Sequence, residues 1–137
     1  MTMDIIETGI LLAKIQAFDN RNVGDETTMA WQEILAPYIL PDCLAAVTDY
    51  FKTNTGWIMP AHIVERVRFT EENRVRDFKD GYHLNRADDE TCEDWPAAMR
   101  QLGRAVRTGA LTPAAYAAYS EGDQPLESFL TRKQVGA

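Results

Sequence analysis

Apolar residues recur along this chain at helical spacing, in segments separated by proline, glycine and short polar turns. Trp31, Leu35 and Tyr38 stand at i, i+4, i+7, and Leu44, Val47 and Phe51 at i, i+3, i+7, so each set marks one face of a helix. Only Ile39-Leu40-Pro41 separates them, and short links make antiparallel neighbours. The polar turn Thr53-Asn54-Thr55-Gly56 closes this hairpin. Trp57-Ile58-Met59 then forms an apolar tether, with Pro60 as the first residue of another helix. Trp31, Leu35, Val47, Phe51, Ile58 and Ile63 are expected in one buried cluster, with the tether buried beside them.

The pattern before the hairpin predicts a first helix capped by Asp4 and running to about Phe18. Ile5, Leu12 and Ile15 share its face, with Ile6, Leu11 and Phe18 alongside; Gly9 permits close approach of another helix. Asp19 to Gly24 is turn chemistry, and Asp25 caps the second helix. The helix from Pro60 toward Lys79 is predicted to pack by its first half and to project its charged second half, ending at Asp80-Gly81. The stretch from Tyr82 to Asp94 has little periodicity. A fifth helix from Pro96 to Thr108-Gly109 sets Met99, Leu102 and Val106 against a stripe of Arg100, Arg104 and Arg107. Thr112-Pro113 opens a shorter helix carrying Tyr116 and Tyr119, and Pro125 opens a last one through Phe129-Leu130. The fold class is all-α: a four-helix N-terminal domain over 1–80, an acidic linker over 81–94, and a smaller helical C-terminal region over 95–137. With fewer large apolar residues, that last region is expected to bind a partner and to order against it.

Composition adds little to the fold and more to the function. The proportions, 45% hydrophobic and 26% charged, are those of a globular chain. No run approaches a membrane span and the N-terminus has no basic start, so a cytoplasmic location is expected, with Cys43 and Cys92 reduced. A net charge of -7 opposes gripping nucleic acid over the whole surface and suits a basic protein partner or the occlusion of a DNA-binding surface.

Candidate chemistry is sparse. Cys43, His62, His83 and Cys92 are zinc-ligand types without ligand spacing. Asp88-Asp89-Glu90 reads either as a cation site or as solvated charge leading into a helix. There is no phosphate loop and no nucleophile motif around Ser120 or Ser128, so an enzyme is not expected, nor any cofactor, metal or catalytic residue. The stripe Arg100, Arg104, Arg107 reads either as a solvated helix face or as a contact to an acidic partner or phosphate. With Tyr116, Tyr119 and Phe129 it makes the candidate partner-binding set.

The segment AFDNRNVGDETTMAWQEIL, followed by a helix ending in DYFKTNTGWIMPAHIVERV, resembles phage replicative-helicase loader/inhibitor proteins. Trp31 matches the tryptophan opening the second helix's core face. Ala45, Ala46, Tyr50 and Phe51 match the Ala-rich third helix with its terminal aromatic pair, and Met59-Pro60-Ala61 with Ile63 matches the entry to the fourth. The resemblance covers about residues 5–68. It implies a small adaptor without a motor of its own, which holds a hexameric DnaB-type helicase until an initiator protein or DNA releases it, and which binds DNA weakly or not at all. The alternatives are a helix-turn-helix regulator placing Arg66 and Arg68 near DNA, or an adaptor for another protein.

Overall fold

In a computed structural model describing residues 3–130, every regular element among those residues is helical. The helices are α1 (Ile5–Asp19), α2 (Asp25–Leu35), α3 (Leu40–Thr53), α4 (Pro60–Arg76), α5 (Arg86–Thr91), α6 (Trp95–Thr108) and α7 (Pro113–Glu121), followed by a 3-10 turn, Leu126–Phe129. The chain divides into two units, Met1–Thr70 and Glu71–Ala137, of nearly equal length. The division falls inside α4, not after residue 80, and the second unit is not a minor appendage.

Local chemistry sets most helix ends. Asp4 accepts from the Glu7 backbone N–H at 2.8 Å, and the Glu7 carboxylate accepts from that of Asp4 at 3.1 Å, a capping box. Asn20 closes α1 in the left-handed conformation, φ 57°. Asp25 does not cap α2: it is the first helical residue, and Gly24 occupies the cap without a side-chain bond. Pro41, Pro96 and Pro113 sit in the first turns of α3, α6 and α7, where a missing N–H costs nothing. At α4, the Met59 N–H donates to His62 Nδ1 at 2.8 Å.

The first unit packs Trp31, Leu35, Val47, Ile58 and Ile63 with Leu11, Leu12, Ile15, Cys43, Tyr50 and Val67 in one buried cluster. Phe51 lies at its margin, half-buried and stacked on Phe18 with ring centroids 4.6 Å apart. Helix α1 buries only part of the face expected, with Leu11, Leu12 and Ile15 inside as predicted and Thr8 beside them. Ile5, Ile6 and Phe18 are exposed. Thr8 tolerates burial because its hydroxyl donates to the Asp4 carbonyl at 2.7 Å. The tether departs from expectation too: Ile58 is fully buried, but Trp57 is 61% and Met59 50% exposed. Side chains alternate along extended backbone, so one residue in two points inward.

An ion pair fastens this tether. Arg21 grips the Asp19 carboxylate, with Nη2 to Oδ2 at 2.6 Å and Nε to Oδ1 at 3.1 Å, while Nη2 also donates to the Ile58 carbonyl at 2.9 Å. Its guanidinium carbon lies 5.5 Å from the Trp31 ring centroid and 4.5 Å from that of Trp57. The two charged side chains are only 5% and 9% exposed. Burial works to raise the Asp19 carboxyl, but hydrogen bonds from the Arg21 side chain and backbone, with the guanidinium charge, outweigh it and hold the group below its usual value.

The second unit has its own core of Phe78, Leu84, Leu102, Ala105, Val106, Ala110, Leu111 and Tyr119. Two expectations change with it. The 81–94 stretch is not a bare linker, since it carries α5 and buries Leu84 and Asn85. The charged end of α4 does not simply project, because Val75 packs on this core and Phe78, just past the helix, is part of it. A cut in 82–94 would therefore strip the second core of Phe78.

Trp31→Ala should cost about 3–5 kcal/mol in chemical denaturation, since a fully packed aromatic is lost. Arg21→Ala, which leaves a buried carboxylate unpaired, should cost about 3 kcal/mol at neutral pH. Because the folded Asp19 value lies below the unfolded one, its contribution is complete above about pH 4 and is lost as pH falls further. Arg21→Ala should accordingly flatten the loss of thermal stability between about pH 4 and pH 2.

Candidate partner-binding surface

Helix α6 is built so that one side is core and the other charged. Leu102, Ala105 and Val106 are buried. Arg100, Arg104 and Arg107, at i, i+4, i+7, fall on the opposite side; Arg100 and Arg107 are exposed and Arg104 half-buried. Asp94 caps the helix by accepting from Ala97 N at 3.1 Å. Trp95, in its first turn, is 52% exposed and donates from Nε1 to Asp89 Oδ1 at 2.9 Å.

The C-terminus of α6 depends on a residue that the sequence pattern did not single out. Arg74 Nη1 donates to the Arg107 carbonyl at 2.8 Å, placing a cation at the negative end of the helix. Gly109 ends the helix at φ 80°, and a Cβ there would stand 3.2 Å from Arg74 Nε. Both the left-handed backbone and the crossing arginine call for glycine. Gly103 serves a comparable purpose: the Tyr82 hydroxyl and Arg107 Nη1 each lie 3.0 Å from where its Cβ would be. The available signal for Arg74 was the helix terminus itself, which favours a nearby cation without specifying which.

The aromatic members of the candidate set belong to the interior. Tyr119 is completely buried. Its hydroxyl donates to Asp88 Oδ2 at 2.7 Å and accepts from Asn85 N at 3.0 Å. Burial, reinforced by the Asp88 carboxylate, pushes the phenol well above its usual value, against the Asn85 N–H, which works to lower it. Tyr116 is half-buried, accepts from His83 N at 3.1 Å and meets Phe78 edge-on at 5.5 Å. Phe129 packs edge-on against Tyr119 at 5.7 Å. Tyr119 is therefore withdrawn from any docking surface, and Tyr116 and Phe129 are spent largely on packing, because the core of the second unit is closed by these rings.

The acidic cluster and the cysteine and histidine residues also have internal partners. Asp88 Oδ2 accepts from both Tyr119 and Leu126 N, the latter at 3.1 Å. Asn85 is buried; its Nδ2 donates to the carbonyls of Tyr119 at 3.0 Å and Gln124 at 2.8 Å, and its Oδ1 accepts from Asp88 N. Asp89 holds Trp95, and Glu90 pairs with Arg86 at 2.9 Å. Cys43 is core, and Cys92 is half-buried with its Sγ donating to the Asp89 carbonyl at 3.6 Å. Among the described residues, no three acidic, histidine or cysteine side chains are grouped to hold a metal ion. No single helix among them is long and apolar enough to cross a membrane. Arg66 pairs with Asp49 at 3.0 Å and lies over the Tyr50 ring at 5.1 Å, while Arg68 is exposed.

Compared with family models, curated proteins and solved structures, the chain matches none.

Tyr119→Phe should cost about 1–3 kcal/mol, since a buried N–H and part of a carboxylate lose their partner. Arg100→Ala, on the solvated side of α6, should change stability by no more than about 0.5 kcal/mol. Urea titration of the two variants checks the pair; the reverse order would place the phenol outside the core network.

Proposed function

We propose that this chain is a non-catalytic adaptor that meets an acidic surface on a partner protein through the outward face of α6. The supporting observation is that Arg100, Arg104 and Arg107 lie opposite the buried Leu102, Ala105 and Val106, in a chain whose net charge is -7. A basic face on an acidic molecule steers encounter with an acidic partner while repelling other negative surfaces. Trp95, exposed in the first turn of the same helix, supplies the kind of residue that anchors interfaces.

The partner we propose is a hexameric replicative helicase of the DnaB type, on the strength of the resemblance in residues 5–68. The adaptor loads or inhibits the ring by favouring one of its states, and an initiator protein or DNA that favours another state releases it. Such coupling is reciprocal: whatever weakens adaptor binding is itself weakened by the adaptor. The alternative of a DNA-binding regulator gains nothing from Arg66, whose guanidinium is engaged by Asp49 and Tyr50.

Purified hexameric helicase should retain the full chain in a pull-down. The double variant Arg100→Glu/Arg107→Glu should lower that affinity by roughly tenfold or more. Unchanged affinity would move the interface off α6, and no retention would remove the helicase from the proposal. Duplex DNA at physiological salt should bind weakly and without sequence preference. Sub-micromolar sequence-specific binding would favour the regulator instead.

A further inference from the structure

The outward side of α1 carries an apolar face that none of the described residues of the first unit covers. Ile6 is 73% and Ile10 49% exposed, and Ala13 and Ala17 are exposed beside them. The spacing 6, 10, 13, 17 is the alternating four-three-four step of a coiled-coil seam, directly opposite the buried Thr8, Leu11, Leu12 and Ile15. Both sides of α1 are thus apolar, whereas an ordinary surface helix is apolar on one.

We propose that this face pairs with the same face of a second copy of the chain, antiparallel about a two-fold axis lying near residues 11 and 12. Three properties of the seam select a copy of itself as occupant. In that register each isoleucine meets an alanine: Ile6 faces the other copy's Ala17, and Ile10 its Ala13. Large side chains then fill the gaps left by small ones in every layer, as isologous pairing requires. The flanking charges are complementary in the same register. Glu7 and Lys14 occupy equivalent flanks of the seam, so each glutamate comes beside the other copy's lysine, twice per dimer. Lys14 donates to the Leu44 carbonyl at 3.1 Å, which holds it on that flank with donors remaining for the carboxylate. Lastly, Gly9 lies mid-helix with nothing within 4 Å of where a Cβ would stand, so no contact among the described residues accounts for it. On the other flank of the seam, it allows a second helix backbone to come close.

The contact spans only about three turns, so the dimer is weak and reversible rather than obligate. It uses a different helix from the arginine face of α6 and does not depend on the partner assigned to that face.

Sedimentation velocity of the full chain over a concentration series tests the pairing. The wild type should move from monomer toward dimer as concentration rises. Ile10→Ala removes an isoleucine from two layers at once and should weaken the dimer by about tenfold or more. Ile6→Asp, at a position 73% exposed, should abolish it while leaving the helical circular dichroism and its melting intact. The exchange Ile10→Ala/Ala13→Ile keeps one isoleucine opposite one alanine in each central layer and should restore self-association. A chain that stays monomeric throughout overturns the proposal, and so does a dimer indifferent to Ile6 and Ile10. Equally, a monomeric chain that loses helicase retention through Ile6→Asp would assign this face to a different protein and overturn self-pairing.

Discussion

A guanidinium held between two tryptophans sets the geometry of the first unit. Arg21 comes from the turn after α1, Trp31 from α2, and Trp57 and Ile58 from the segment between α3 and α4. One side chain thus binds three parts of the chain far apart in sequence. Asp19 makes the arrangement tolerable, because a buried cation without a counter-charge would be expelled or would bring water with it. The Asn20 left-handed turn is what brings Asp19 and Arg21 onto the same side. Given this fastening, Ile58 enters the core while its neighbours Trp57 and Met59 remain largely outside.

The second unit solves the same problem differently. Its core is made of modest residues, with alanines and a glycine filling positions on α6, so large rings from elsewhere must close it. Tyr119 does so at the cost of burying a hydroxyl, and Asn85 and Asp88 satisfy that hydroxyl. Asn85 and Asp88 also hold backbone groups of Gln124 and Leu126, which ties the irregular segment after α7 to the start of α5. No buried side-chain polar atom among the described residues lacks a partner. In units this small, where the apolar core is limited, each buried polar group fixes a specific loop.

These internal uses redraw the functional surface. Tyrosines and acidic residues that resemble interface or ligand chemistry in the sequence are committed to structure, while the arginine face of α6 and the apolar outer face of α1 are turned outward. Charge carries the proposal for one and shape the proposal for the other. Both are proposed as surfaces for proteins.

Much of the fold was legible in the sequence because its determinants are local. Helical periodicity, the Asp4 cap, Pro60 at the head of α4, Gly109 at the foot of α6 and Pro125 before the last turn each depend on a few adjacent residues. Five of the six residues grouped as core, Trp31, Leu35, Val47, Ile58 and Ile63, are buried together, since amphipathic faces must turn inward. Leu11, Leu12 and Ile15 were legible as the inner face of α1. The exposure of Ile5, Ile6 and Phe18 was not, because a helix apolar on both sides does not say where its buried face ends. Nor was the value of residues 81–94: polar composition reads as a linker until Tyr119 and Gln124 arrive to receive Asn85. The fate of Tyr116, Tyr119 and Phe129 was decided in the same way. An aromatic ring serves equally well in a core or at an interface, and only the packing of distant elements determines which.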